Sequence, residues 1–240
     1  EWDPTFSVSS FGFRPGRSAH QAVAQAQAYI REGYTWVVDL DLEKFFDRVN
    51  FDVLLSRVRR RVRDSRVVRL IHRFLKAGVL TLEGMVEATV EGTPQGSPLL
   101  ANLFLHYVFD AWMRRNQPRN PWARYADDGL VHCRTRGEAE NLLCVLTERF
   151  EECGLALHPQ KTRIVYCQDD DRREDQPETS FDFLGYTFRP RRAKNRRGEY
   201  FVSFLPALSA RSEKALRRRI HDWRLHLKPD KSIEDLSRMD

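Results

Sequence analysis

The amino-acid sequence predicts an α+β fold, an antiparallel sheet with helices packed on one face. Three observations predict it. The segments run strand, helices, hairpin, helix, strand along the chain. Thr35-Trp36-Val37-Val38-Asp39-Leu40-Asp41-Leu42 is short, β-branched and aromatic, as a buried strand is. Trp122-Ala123-Arg124 and Gly129-Leu130-Val131 read as two short strands about Tyr125-Ala126-Asp127-Asp128, which puts two adjacent acids at the tight turn between them.

Taken in order, residues 1–17 form a loop broken by Pro4, Gly12, Pro15 and Gly16. Ser18 caps a helix whose apolar face is Ala22, Val23, Ala26 and Ile30, and Gly33 stops it. After the Asp41 strand, Asn50 caps a helix carrying Val53, Leu54 and Val58. Ser65 caps the next, with Val67, Val68, Ile71, Phe74 and Leu75 turned inward and Gly78 at its end. Arg57, Arg59, Arg60, Arg61 and Arg63 read first as a solvated face and second as an RNA-binding strip. Val79 to Val90 alternates around Glu83-Gly84 as a hairpin does.

Gly92-Thr93-Pro94-Gln95-Gly96-Ser97-Pro98 is a rigid loop opening a helix, with Ser97 at the N-cap and Pro98 at the first helical position. Leu99, Leu100, Leu103, Phe104, Tyr107, Val108, Ala111 and Trp112 give that helix a wide, buried apolar face. Past the acidic turn, Thr135 and Glu138 form a capping box, and Ala139, Leu142, Leu143, Leu146 and Phe150 carry the helix to Gly154. Arg163 to Cys167 is a strand, residues 168–179 a charged surface loop, and Phe181 to Phe188 with Tyr200 to Leu205 a hairpin about the basic turn Arg191 to Arg197. From Leu208 the pattern changes to a helix, with Ala215, Leu216, Ile220, Trp223 and Leu227 on one stripe among Arg217, Arg218, Arg219 and Arg224.

Composition bounds the partners. The 240 residues can bury a core, and a formal net charge of +6 with arginine well in excess of lysine favours a polyanion such as nucleic acid. Cys133, Cys144, Cys153 and Cys167 show no CxxC pairing and are expected as free thiols. The sequence shows no membrane-length apolar run and no signal peptide, so the expected location is cytoplasmic, without a membrane partner. A first residue Glu1 in place of Met makes a portion of a longer protein the expectation.

The acids carry the chemistry. Adjacent carboxylates raise one another's pKa, a cost that a divalent cation removes, and Mg²⁺ prefers such hard oxygen ligands. Asp39 and Asp41 share one face of their strand, and acids inside an apolar strand need a partner. An ordinary polar turn satisfies the spacing of Asp127-Asp128 equally well. Should the two strands lie side by side, three carboxylates converge, and two ions ~3.5–4 Å apart would clamp the attacking and leaving oxygens of a phosphoryl displacement.

Asp41-Leu42-Glu43-Lys44-Phe45-Phe46-Asp47, Gly92-Thr93-Pro94-Gln95-Gly96-Ser97-Pro98-Leu99 and Tyr125-Ala126-Asp127-Asp128 occur in the order of the palm motifs of reverse transcriptases, which the chain resembles. Phe11-Gly12-Phe13-Arg14-Pro15-Gly16-Arg17-Ser18 before them and Phe181-Asp182-Phe183-Leu184-Gly185-Tyr186 after them are similar to the reverse transcriptase/maturase proteins of bacterial group II introns. The resemblance implies a right-hand polymerase palm at 37–206 with a fingers-side insertion at about 50–92, partial fingers at 1–36 and the start of a helical thumb at 207–240. It further implies that basic fingers precede Glu1 and that the rest of the thumb follows Asp240.

The resemblance also implies the roles. Asp41, Asp127 and Asp128 hold two Mg²⁺ ions, for which Mn²⁺ can substitute, and the Leu42 carbonyl completes one shell. Phe46 lies under the incoming sugar, Gln95 and Gly96 contact template or nucleotide, and Lys161 lies near the triphosphate. Asp39 is a supporting residue and Phe45 a core aromatic. Arg14, Arg17, Arg217, Arg218 and Arg224 contact RNA. The implied partners are an RNA template, a DNA or RNA primer, dNTPs and the intron RNA that a maturase helps to splice. A sibling enzyme of CRISPR spacer acquisition or host defence, and an RNA-binding maturase without polymerase activity, are the alternatives.

Overall fold

A computed structural model describes residues 2–76, 98–172 and 175–223, with the backbone of 79–80 and 86–87. In order these are α1 (Ala19–Arg31), β1 (Trp36–Leu40), α2 (Phe45–Arg48), α3 (Phe51–Arg59), α4 (Ser65–Lys76), β2 (Val79–Leu80), β3 (Val86–Glu87), α5 (Pro98–Leu105), α6 (Ala111–Asn116), β4 (Trp122–Tyr125), β5 (Asp128–Cys133), α7 (Arg136–Glu152), β6 (Arg163–Tyr166), β7 (Phe181–Phe183), β8 (Tyr186–Lys194), β9 (Tyr200–Leu208) and α8 (Ala210–Asp222). The central sheet is antiparallel, in the order β4-β5-β1-β6, and β7-β8-β9 form a second sheet. The α+β palm read from the sequence is the fold observed.

Strand alternation divides the molecule into two cores. Trp36, Val38 and Leu40 of β1, with Val131 and Cys133 of β5, pack against Leu103 and Phe104 of α5 and Leu142, Leu146 and Phe150 of α7. Val37, Ala123, Leu130 and Val165 face the other way, onto Ala22, Val23, Ala26 and Ile30 of α1 and onto Phe181, Phe188 and Phe204 of the second sheet. The helices of 37–206 that pack on this sheet, α5 and α7, lie on one face as expected, and α1, from the segment before them, covers the other. The apolar stripe of α1 needs cover as much as α7 does, and the back of the sheet supplies it.

Several local signals hold. Ser18 and Gln21 make a reciprocal capping box, and Asn50 Oδ1 accepts from the Val53 N–H at 3.0 Å. Other expectations shift. Val53 is exposed, and the buried face of α3 is Phe51, Leu54, Leu55 and Val58. Asp64, one residue before Ser65, accepts the Arg66 N–H at 2.8 Å. On α4 only Val68 and Leu75 are buried, while Phe74 is 52% exposed. Thr135 accepts from Glu138 N–H, but the Glu138 carboxylate reaches Arg134 N–H at 2.8 Å and Asn120, so the box closes on a neighbouring donor. The expected hairpin after Phe181 is a three-stranded sheet, because Leu184 and Gly185, at φ 51° and 83°, make an additional tight turn between β7 and β8. The Ser97 cap and most of the Val79–Val90 segment lie outside the described residues, although Val79 and Leu80 do pair with Glu87 and Val86.

Candidate active site

β1 and β5 pair antiparallel with Leu40 opposite Gly129 and Asp39 opposite Leu130. Asp39 and Asp41 follow Val37 on one face of β1, and Asp128 precedes Leu130 on the same face of β5. The carboxylates of Asp39, Asp41 and Asp128 accordingly line one cleft of ≈260 Å³, together with Gln160, Lys161, Arg163 and Asp182. Like charges crowd there. Burial, then Asp127 and Asp41, push the Asp128 carboxyl up to about 6. Burial also raises Asp39 to about 7, against the pull of Arg163 and with Asp128 and Asp41 adding to the rise.

Asp127 takes a different position. Tyr125 pairs with Asp128, so Ala126 and Asp127 are the whole turn. Asp127 borders a small apolar hollow, beside Leu40, Leu42, Leu105, Phe109, Arg124, Gly129 and Phe150. Among the described residues no three His, Cys, Asp or Glu side chains are grouped as a metal centre. The donors nevertheless suit magnesium: all are hard oxygens, and Asp41 adds to the rise of both the Asp128 and the Asp39 carboxyl, as acids short of positive charge do. Asp41 and Asp128 would hold such an ion from the cleft and Asp127 from the turn.

Positive charge now reaches the cleft from two side chains. Lys161 Nζ lies 3.3 Å from Asp41 Oδ2, and Arg163 Nε lies 3.6 Å from Asp39 Oδ2. The segment 158–162 also fixes the backbone of Asp41. His158 N–H donates to the Asp41 carbonyl at 2.8 Å, and the Thr162 hydroxyl donates to the same oxygen at 3.2 Å. Leu42 stands opposite Leu157 as a lone bridge, flanked by the bonds His158 N–H to Asp41 and Glu43 N–H to Ala156. Its own N–H and C=O therefore point away from Leu157, toward the acidic turn, as backbone groups alternate in antiparallel pairs.

The turn itself is held from behind by a group that sequence reasoning missed. Arg124, buried in β4, makes a two-pronged ion pair with Asp110, Nε to Oδ1 at 2.8 Å and Nη2 to Oδ2 at 2.9 Å. Its Nη1 donates to the Ala126 carbonyl at 2.7 Å and to Asn102 Oδ1 at 3.1 Å, and Nη2 also reaches Ser10 Oγ at 3.0 Å. Ala126 has φ 55°, in the left-handed region that costs an L-residue energy unless its surroundings impose it. Asn102 Nδ2 donates to the Gly12 carbonyl at 2.7 Å, and Gly12 packs so tightly on the turn that a Cβ there would lie 2.4 Å from Ala126 N. The signal in the sequence is Asn102, His106 and Asp110 at four-residue spacing inside an apolar helix. The helix also widens to a π-turn over His106–Asp110 between α5 and α6, a feature common near functional sites.

The remaining expected residues divide. Phe45 is buried and Phe46 half-buried, their rings 5.2 Å apart edge to face. Arg14 is corrected: its side chain is 6% exposed, its Nε donates to Asp3 Oδ1 at 2.6 Å, and its other nitrogens hold the carbonyls of Ser7, Ser10 and Asp3. Four of its five N–H groups are thus committed to closing the N-terminal loop, which leaves one for any RNA contact. Arg17 lies over the Phe11 ring at 5.4 Å. On α8, Arg217 pairs with Glu213, and Arg218 Nε stands 4.0 Å from Asp222 Oδ2, both exposed. Gln95, Gly96 and Arg224 lie outside the described residues.

The chain is similar in sequence and in fold to known proteins. Residues 1–188 match the family described as "Reverse transcriptase (RNA-dependent DNA polymerase)". Protein YkfC of Escherichia coli is 31% identical over 88% of the chain, which spans 62% of that relative. The group II intron-encoded protein LtrA of Lactococcus lactis is 38% identical over 44% of the chain and is matched over 18% of its own length. In fold, the apo telomerase of Candida tropicalis aligns with 75% of the chain and 39% of its own at a TM-score of 0.54 and 13% identity.

Proposed function

Since the chain belongs to the reverse transcriptase family, we propose that it is the palm of an RNA-directed DNA polymerase of group II intron type, one that extends a primer 3′-OH on an RNA template and assists splicing of its intron RNA. The observation that carries the reading is the cleft where Asp41 and Asp128, from adjacent antiparallel strands, face Lys161. When bound, Mg²⁺ supplies charge neutralisation at the transferring phosphoryl group and a lowered pKa at the primer hydroxyl. The protein's own contribution is positional. His158 and Thr162 fix the carbonyl of Asp41, Arg124 fixes the turn under Asp127, and Lys161 holds a positive charge beside Asp41, where a triphosphate would bring negative charge. Phe46 presents a half-buried ring suited to press on the sugar of an incoming nucleotide.

The test is primer extension by the full-length protein on an RNA template with dNTPs and Mg²⁺, comparing wild type with Asp127→Ala and Asp128→Ala. Loss of extension with RNA binding retained is the expected result. Equal extension by all three proteins would end the proposal. Acids that raise one another's pKa, as Asp127 and Asp41 raise Asp128, serve pure RNA binding poorly, which weighs against a maturase without polymerase activity.

A further inference from the structure

Four arginines of the basic run that follows β1 separate into two groups. Arg57 lies over the Tyr107 ring at 4.8 Å and Arg61 over the Trp2 ring at 5.2 Å, so both are engaged in packing. Arg59 and Arg63 instead line a cleft between α3 and α4 of ≈550 Å³, about twice the ≈260 Å³ of the catalytic cleft. Arg69 and His72, one turn apart on α4, line its other wall. Val68, buried, and Val62, half-buried, form an apolar floor.

The charge in this cleft is uncompensated. Among the described residues, Arg59, Arg63, Arg69 and His72 carry no ion pair or side-chain hydrogen bond, and no carboxylate lines the cavity. The nearest acid in sequence, Asp64, is held by Arg66 at 3.0 Å. A convex arginine face would be a solvated surface, but concave walls of one sign focus the field and draw in anions. Planar guanidinium forks suit phosphate oxygens two at a time.

We propose that the α3–α4 cleft is a second nucleic-acid contact, which grips the phosphodiester backbone of RNA or DNA. It shares no residue with the catalytic cleft. The proposal rests on nucleic acid being the substrate, yet it concerns grip and not chemistry.

The experiment is a salt titration of binding by the full-length protein, with single-stranded RNA and DNA oligonucleotides as probes. Arg59→Gln/Arg63→Gln/Arg69→Gln removes three phosphate partners at exposed positions, and a thermal melt checks that it folds. Each lost contact removes about 0.7 from the slope of log K against log salt, so the slope falls by about 2 and affinity by roughly 100-fold at ~0.1 M salt. The same positions as Lys keep the charge and lose the fork, so the slope stays and affinity drops less. In extension assays the Gln variant raises the KM for template–primer and leaves kcat at saturation unchanged. An Asp128→Asn control does the reverse, losing kcat and keeping the slope. If wild type binds but does not extend, the polymerase reading fails and the cleft survives. An unchanged slope and affinity for both oligonucleotides in the Gln variant would overturn the cleft, even if that variant no longer bound an acidic polypeptide such as polyglutamate.

Discussion

Replacing Asp110 by Asn leaves the Arg124 guanidinium buried without its counter-charge. Both side chains are nearly inaccessible, at 1% and 3% exposure. Burial alone would raise the Asp110 carboxyl; the Arg124 guanidinium and His106 outweigh it and hold the group below its ordinary value. Breaking one partner of such a buried pair costs about 3–5 kcal/mol, a large part of the roughly 5–15 kcal/mol that holds a domain together. Urea unfolding of Asp110→Asn, Arg124→Met and a combined Asp110→Leu/Arg124→Met protein reads the coupling. Each single change should cost ~3 kcal/mol or more, and the double change less than their sum, because no orphaned charge is then left. The sign with pH follows from the depressed carboxyl. Its stabilisation is full above the unfolded value near 4 and is lost as pH falls through the lower folded value, so wild type weakens in acid and Asp110→Asn does not. Costs that simply add, with the same acid sensitivity in the Asn variant, would refute the reasoning.

Three further outcomes are expected. Asp39, 17% exposed, is raised from 3.8 to about 7, so the folded state holds that proton more tightly than the unfolded chain, and metal-free stability should fall between about pH 4 and pH 7; Asp39→Asn should remove that slope and stabilise by at most about 4 kcal/mol at about pH 8, as urea unfolding across that range would show. Gly12→Ala drives a Cβ to 2.4 Å from Ala126 N, backbone that cannot swing aside, and should cost about 3 kcal/mol and most of the extension activity, whereas Gly129→Ala meets its nearest atom, Leu40 Cδ1, at 3.6 Å and should be nearly neutral by the same melts. Phe46→Ala should let ribonucleotides into the product; unchanged sugar selectivity in a dNTP/rNTP competition would remove the role given to that ring.

Most of the sheet was legible because its residues alternate in a way only one register satisfies. Val37, Asp39 and Asp41 against Trp36, Val38 and Leu40 already name the two faces of β1. Caps were legible where the capping side chain sits beside its own helix, as Ser18 and Asn50 do. Long-range satisfaction was not. Nothing local in Arg14 says that Asp3 and three carbonyls will absorb its guanidinium, and nothing local in Arg124 says that Asp110, fourteen residues earlier, will meet it. The outward turn of Phe74 and Val67 on α4 was equally invisible, because helical spacing gives a stripe without saying whether a neighbour covers it.

The position of Asp127 follows from the same logic and bears on how the site works. Asp127 lies in the turn and not in the strand, so the alternation that sends Asp128 into the cleft with Asp41 does not extend to it. Its charge nonetheless reaches Asp128, whose carboxyl it helps to push up. The backbone of that turn is fixed by the Arg124 bond to the Ala126 carbonyl and by the close approach of Gly12. The buried network of Arg124, Asp110 and Asn102 therefore sets the backbone from which the Asp127 carboxylate projects.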